Sequence, residues 1–136
     1  MTSINLAGPD MKVFVVEDSA AVRERLVEMI QEVEDVEVVG EAGNYDMAIA
    51  GITSTHPDVA ILDIKLADDA GSGIDVLSEV RKTMPAIRAI VMSNYVTPQH
   101  AKASADAGAE YFLDKSVDFG RIPEILRLMG SSKNTD

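Results

Sequence analysis

The chain has 136 residues, enough for one domain with a real core and too few for two ordinary ones. Apolar residues make up 46% of it and cysteine is absent, which excludes disorder, disulfides, thiolate metal sites and cysteine nucleophiles. With 23 acidic against 12 basic residues the formal charge is −11, which argues against nucleic-acid binding by this domain, because phosphate contacts need clustered Lys and Arg.

Met1 to Asp10, with Gly8-Pro9-Asp10 and little periodicity, reads as an N-terminal tail ahead of a single unit at 11–130. The first strand is expected over about Lys12 to Val16. Ser19 then caps a helix through about Val33, with Val22, Leu26, Met29, Ile30 and Val33 on one face. Val36 to Gly40 is a short strand whose acidic flanks suggest a sheet edge. Asn44 opens a second helix, with Met47, Ala48 and Ile52 apolar, that ends before Pro57. Val59-Ala60-Ile61-Leu62-Asp63 follows, a continuous apolar run that reads as a strand buried on both faces.

A loop over Ile64 to Gly73, containing Asp68 and Asp69, leads to a third helix from Ile74 to about Thr83. Strand four is expected over Ile87 to Ser93. Thr97-Pro98 marks a helix opening, and Gly108 ends that helix after about Ala107. This fourth helix is rich in alanine, so weak packing is expected. Strand five covers about Glu110 to Asp114. A last helix starts near Asp118, carries Ile122, Ile125, Leu126 and Met129, and must hold Pro123 in or near its first turn. Residues 131–136 read as a C-terminal tail or the start of a linker.

Strictly alternating strands and helices give a parallel sheet covered on both faces. The expected architecture is α/β, a flavodoxin-like (βα)5 three-layer sandwich. Its strand order, 2-1-3-4-5, is taken by analogy with known folds. That order brings Glu17, Asp18 and Asp63 to one carboxyl edge, with Ser93 and Lys115 at the ends of strands four and five. Three carboxylates form a hard, all-oxygen site of the kind Mg²⁺ prefers. An Asp beside Mg²⁺ and a Lys is placed to act as a nucleophile toward a phosphoryl group. Each residue alone also suits a cap, a turn or a surface charge; the coincidence at one edge carries the functional reading. His56 and His100 are expected on the surface, away from this edge.

The motifs Val15-Val16-Glu17-Asp18-Ser19, Ala60-Ile61-Leu62-Asp63, Val91-Met92-Ser93 and Tyr111-Phe112-Leu113-Asp114-Lys115, in this order, resemble those of the response-regulator receiver family of two-component signalling. The resemblance spans about Lys12 to Met129. It implies Asp63 as phosphoacceptor, Lys115 as phosphate-binding ammonium, and Ser93 and Phe112 as switch residues. It further implies a Mg²⁺ ion held by Glu17, Asp18, Asp63 and the backbone carbonyl of Lys65. A histidine kinase or phosphotransfer protein would be the phosphodonor. The fourth helix, fifth strand and last helix would form the responsive surface for an output partner or output domain.

The sequence departs from the family at several positions. The loop after Asp63 lacks the usual Met-Pro-Gly and is about two residues longer if Gly73-Ile74 aligns with the usual Gly-hydrophobic pair. Lys65 puts a cation two residues after Asp63, and Asn94 stands where Ala or Gly is common. Ser116 replaces a common Pro after Lys115, where a cis bond would cost ~3 kcal/mol or more.

The resemblance implies a phosphoacceptor switch rather than a dedicated enzyme. Two alternatives within the family are a pseudo-receiver that docks partners without phosphorylation and a fragment of a longer DNA-binding regulator. A Mg²⁺-dependent phosphohydrolase is a further alternative, weakened because such enzymes carry a second Asp where this chain has Lys65. No apolar run approaches the ~20 residues of a membrane span, and no signal-peptide layout opens the chain, so a cytoplasmic location without membrane contact is expected.

Overall fold

A computed structural model of the chain describes residues 11–66 and 70–133, with side chains through residue 130. The expected tail at Met1 to Asp10, loop residues Asp68 and Asp69, and the last three residues lie outside this range. Five strands form one sheet: β1 (Met11–Val16), β2 (Val36–Ala42), β3 (Val59–Asp63), β4 (Arg88–Ser93) and β5 (Tyr111–Asp114). Every pairing is parallel and the order is β2-β1-β3-β4-β5. The expected flavodoxin-like architecture is borne out, with β2 at one edge.

The apolar runs explain the layering. Alternate residues of a strand point to opposite faces, so a run without polar interruption needs a covered face on each side. Val13, Val15, Ile61 and Met92 face one layer, with α1 (Ala20–Gln31) and the last helix supplying Leu26, Ile30, Ile125 and Leu126. Phe14, Val16, Leu62 and Val91 face the other, against Ala48 and Ile52 of α2 (Tyr45–Thr55) and Val76 and Leu77 of α3 (Gly73–Val80). All five residues of β3 are buried.

The β1–β2 register slips between Val13 and Phe14, where Val38 and Gly40 become the successive partners. Gly40 answers the bulk of Phe14, since a Cβ there would stand 2.6 Å from the Phe14 ring.

Helix boundaries follow capping chemistry more closely than apolar spacing. Ser19 caps α1 as expected, but the helix stops at Gln31; Val33 is buried in the turn beyond, and Asp35 takes φ 66. Strand β2 runs two residues past the expected end. Helix α3 starts at Gly73, where Ser72 and Asp75 form a reciprocal capping box, and ends at Val80, short of the expected Thr83.

Helix α4 (Pro98–Asp106) has the Thr97 cap and the proline at its start, and Gly108 follows with φ +98. Its one buried residue is Ser104, which bears out the weak packing expected of an alanine-rich helix. After β5 the chain forms a four-residue turn of helix, α5 (Lys115–Asp118), then a 3-10 turn at Phe119–Arg121 and α6 (Ile122–Lys133). The single last helix expected from Asp118 is therefore a 3-10 turn followed by α6, preceded by the short α5, with Pro123 in the first turn of α6. Among the described residues no peptide bond is cis. Ser116 instead joins the helical turn, its amide and hydroxyl both bound to the Asp114 carboxylate at 2.9 and 2.6 Å.

Candidate functional site

Register brings the acidic residues together. Val16 of β1 pairs with Leu62 of β3, so the next residues, Glu17 and Asp63, leave the sheet side by side. Ser93 pairs with Asp114, which sets Lys115 one step beyond the end of β5. Lys115 reaches back over the edge and places Nζ 2.6 Å from Glu17 Oε1 and 2.9 Å from Asp63 Oδ2. Glu17 is fully buried, Asp63 is 3% exposed, and Asp18 is exposed beside them. One carboxylate oxygen from each of Glu17, Asp18 and Asp63 lies within 4.8 Å of the others.

The backbone braces these groups. The second Glu17 oxygen accepts from the Ser19 amide at 2.9 Å, and the Glu17 carbonyl accepts from Arg23 at 2.7 Å. Behind Asp63, the Ile64 amide donates to Met92 O and the Gly73 amide donates to Ile64 O. A Cβ on Gly73 would collide with the Asp63 carbonyl oxygen, so only glycine permits this approach. The loop after β3 is thus closed directly behind the carboxylate.

Burial raises the pKa of both Glu17 and Asp63 above the usual carboxylate values, outweighing the Lys115 hydrogen bonds that lower them. Neighbouring carboxylates add to both shifts. For Lys115, burial opposes the charged form, yet the two carboxylates outweigh it and its pKa is raised. Three carboxylates against the Lys115 ammonium leave a formal −2 in the cluster. A divalent cation would balance that charge, and hard carboxylate oxygens suit Mg²⁺. The residues present fit the ion.

Two cavities meet at Asp63. One, about 520 Å³, opens toward Ser72, Asp75, Tyr95 and His100; the other, about 690 Å³, opens toward α1 and α5. Lys65 and Asn94 border both, so these departures from the family pattern stand at the mouth of the site. Ser93 is buried at the same edge, but its hydroxyl is engaged by the Tyr95 backbone. Phe112 is half-buried against the α2–α3 layer.

The expectation for His100 is corrected: it is half-buried and lines the first cavity. It is the third residue of a helix capped immediately after the β4 loop, and that turn returns to the edge. His56 lies exposed at the end of α2, as expected.

A family model described as the response regulator receiver domain matches residues 13–127. The chain belongs to this family. Receiver domains are phosphoacceptor switches of two-component signalling; they work with histidine kinases and output domains and bind Mg²⁺ at an acidic pocket. The DNA-binding transcriptional activator DevR/DosR of Mycobacterium tuberculosis is 30% identical over 124 residues, covering 91% of this chain and 56% of that protein. The chain spans about half the length of this and other curated relatives it matches. The response regulator domain of Thermotoga maritima CheB superposes with TM-score 0.77 at 29% identity, covering 93% of this chain and 98% of that one. The isolated REC domain of RcsB from Salmonella enterica serovar Typhimurium, solved with phosphomimetic BeF3−, shares the fold at TM-score 0.80 and 23% identity, over 93% of this chain and 91% of that one. No helix among the described residues of this receiver domain is long and apolar enough to cross a membrane.

Proposed function

We propose that this receiver domain, residues 11–130, accepts a phosphoryl group on Asp63 from the phosphohistidine of a histidine kinase or phosphotransfer protein. The observation that carries the reading is the Lys115 bridge. One ammonium holds both the buried Glu17 and the central Asp63, with Asp18 beside them. In the transfer, an Asp63 oxygen forms the new O–P bond while the donor's N–P bond breaks, its electron pair going to the imidazole nitrogen. Lys115 neutralises charge at the phosphoryl oxygens, and Ser93 turns its hydroxyl toward them. Glu17, Asp18, Asp63 and the Lys65 carbonyl would hold Mg²⁺, which when bound supplies positive charge to the phosphoryl oxygens. The responsive surface is α4, β5 and α6, with Phe112 moving as Ser93 turns. Its partner is an output protein or output domain; DNA contact would belong to a longer regulator like the relative from Mycobacterium tuberculosis.

Incubation with acetyl phosphate and Mg²⁺ tests this. The wild-type chain gains the mass of one phosphoryl group, and Asp63→Asn gains none. Amide exchange with and without beryllofluoride changes most between Val96 and Arg121. Phosphorylation that persists in Asp63→Asn assigns the nucleophile elsewhere, and no uptake in the wild type favours a docking module that works without phosphorylation.

A further inference from the structure

The connection from β4 to α4 carries a hydrogen-bond arrangement that acceptance of the phosphoryl group does not itself require. Ser93 Oγ donates to Tyr95 O at 2.9 Å and accepts from the Tyr95 amide at 3.0 Å, so its single proton is engaged inside the turn. The same carbonyl oxygen lies 3.0 Å from His100 Nδ1. A carbonyl can only accept, so the ring proton on that side belongs to Nδ1. Both the neutral Nδ1–H ring and the imidazolium satisfy this, and the contact holds in either state. The His100 amide is itself bound to the Thr97 hydroxyl at 3.1 Å. His100 therefore fastens the first turn of α4 to the turn that holds Ser93.

The remainder of α4 is fastened loosely. Ser104, 1% exposed, is its buried residue, and among the described residues the Ser104 hydroxyl has no hydrogen-bond partner. A buried hydroxyl without a partner opposes the seat it occupies, and alanines add little apolar burial to offset it. Such a helix follows whatever holds its first turn.

We propose that His100 is a positioning residue that transmits the turning of Ser93 to α4. The inference rests on Asp63 being the phosphoacceptor. When a phosphoryl oxygen accepts the Ser93 hydrogen bond, the Tyr95 carbonyl loses one of its two donors and keeps the other, His100 Nδ1–H. The turn follows Ser93 inward, and the retained bond draws the start of α4 with it. Severing that bond leaves the chemistry at Asp63 in place and disconnects the helix from it.

The test uses the full chain with acetyl phosphate and Mg²⁺, read by intact mass and by amide exchange over residues 98–107. Wild type is expected to gain one phosphoryl mass and change its exchange in α4. His100→Ala is expected to gain the same mass, with the α4 change reduced about fivefold, the scale of one hydrogen bond. His100→Asn, whose amide N–H can stand where Nδ1–H does, restores the response. An α4 change as large in His100→Ala as in wild type overturns the inference while leaving phosphoacceptance intact. Failure of wild type to take up a phosphoryl group overturns both. A ring nitrogen spectrum of the wild-type protein showing Nε2–H with bare Nδ1 also overturns the inference, without need of a variant.

Discussion

Two ion pairs sit at opposite ends of the sheet and have opposite effects on their acids. At the amino end, Arg88 of β4 grips Glu110 through two hydrogen bonds of 2.6 and 2.8 Å, and its third nitrogen donates to Met129 O. At the carboxyl end, Lys115 is shared between Glu17 and Asp63 at 2.6 and 2.9 Å. The Glu110 pKa is lowered, chiefly by the Arg88 hydrogen bonds. Those of Glu17 and Asp63 are raised, chiefly by burial. The contrast comes from water and stoichiometry. The Glu110 side chain is 38% exposed and meets a guanidinium through two hydrogen bonds, whereas Glu17 and Asp63 are 0% and 5% exposed and divide one ammonium. One pair staples β4 to the approach of β5; the other keeps excess negative charge where a cation can balance it.

Removing each cation separates the two ends most strongly. Lys115→Ala strands two buried carboxylates and is expected to cost about 3 kcal/mol at neutral pH. Arg88→Ala removes a partly exposed pair and is expected to cost about 1 kcal/mol after solvent screening. Urea unfolding of both variants in chelator checks this; equal losses would remove the distinction.

The next effect is kinetic and belongs to the carboxyl end alone. Lys65 and Tyr95 border the cavity beside Asp63, and neither is an amide or carboxylate suited to orient an attacking water. The Lys65→Asn, Tyr95→Glu double variant is expected to lose phosphate about tenfold faster, on the order of 1.4 kcal/mol in the barrier. Phosphoprotein decay after donor removal, in Mg²⁺ buffer, is the readout. Unchanged decay would place the water path elsewhere.

The pH dependence should carry opposite signs at the two ends. Asp63 has a folded-state pKa above its unfolded value, so its favourable contribution is present below the unfolded pKa and lost as pH rises through the folded one. Without metal, Asp63→Asn should therefore exceed wild type in stability by about 1 kcal/mol at pH 7, with the gap closing toward pH 4. Asp18→Asn should act in the same direction by relieving repulsion, and millimolar Mg²⁺ should reverse the advantage of either variant.

Glu110 is the reverse, with a depressed pKa whose stabilisation is present above the unfolded pKa and lost as pH falls through the folded one. Glu110→Gln should be less stable than wild type at pH 7 by about 0.5 kcal/mol, a small figure because the pair meets solvent. That gap also closes in acid. Urea titrations at several pH values decide both signs.

What the sequence made legible follows from which forces act locally. An apolar run ending in an acid reports both a covered sheet and a polar edge, whereas the strand order that brings Glu17, Asp63 and Lys115 together came by analogy with known folds. Thr97-Pro98 and Asn44 likewise announced their helices, because a cap is a contact across three residues. Val33 misled because a buried turn residue continues the helical spacing after the helix has ended. Ser72-x-x-Asp75 is a capping signal of the same kind, and it sets the start of α3 one residue ahead of the apolar pattern. The piecewise start of the last helix depends on the Asp114–Ser116 bonds, which an apolar pattern does not register. His100 was missed because a bond from a ring to a carbonyl five residues back has no compositional signature.

The closure behind Asp63 also bears on how such a chain can diversify. Ile64 O and Gly73 N are joined at 2.9 Å, so the intervening segment hangs from a fixed pair of posts. Lengthening a closed loop adds little entropy cost, roughly 0.6 kcal/mol for each doubling. Insertions and deletions between those posts can therefore be sampled by descent without shifting Asp63, while Gly73 itself tolerates no side chain. A lineage can refashion the rim of the cleft, and with it what approaches the carboxylate, while the acidic edge stays in register.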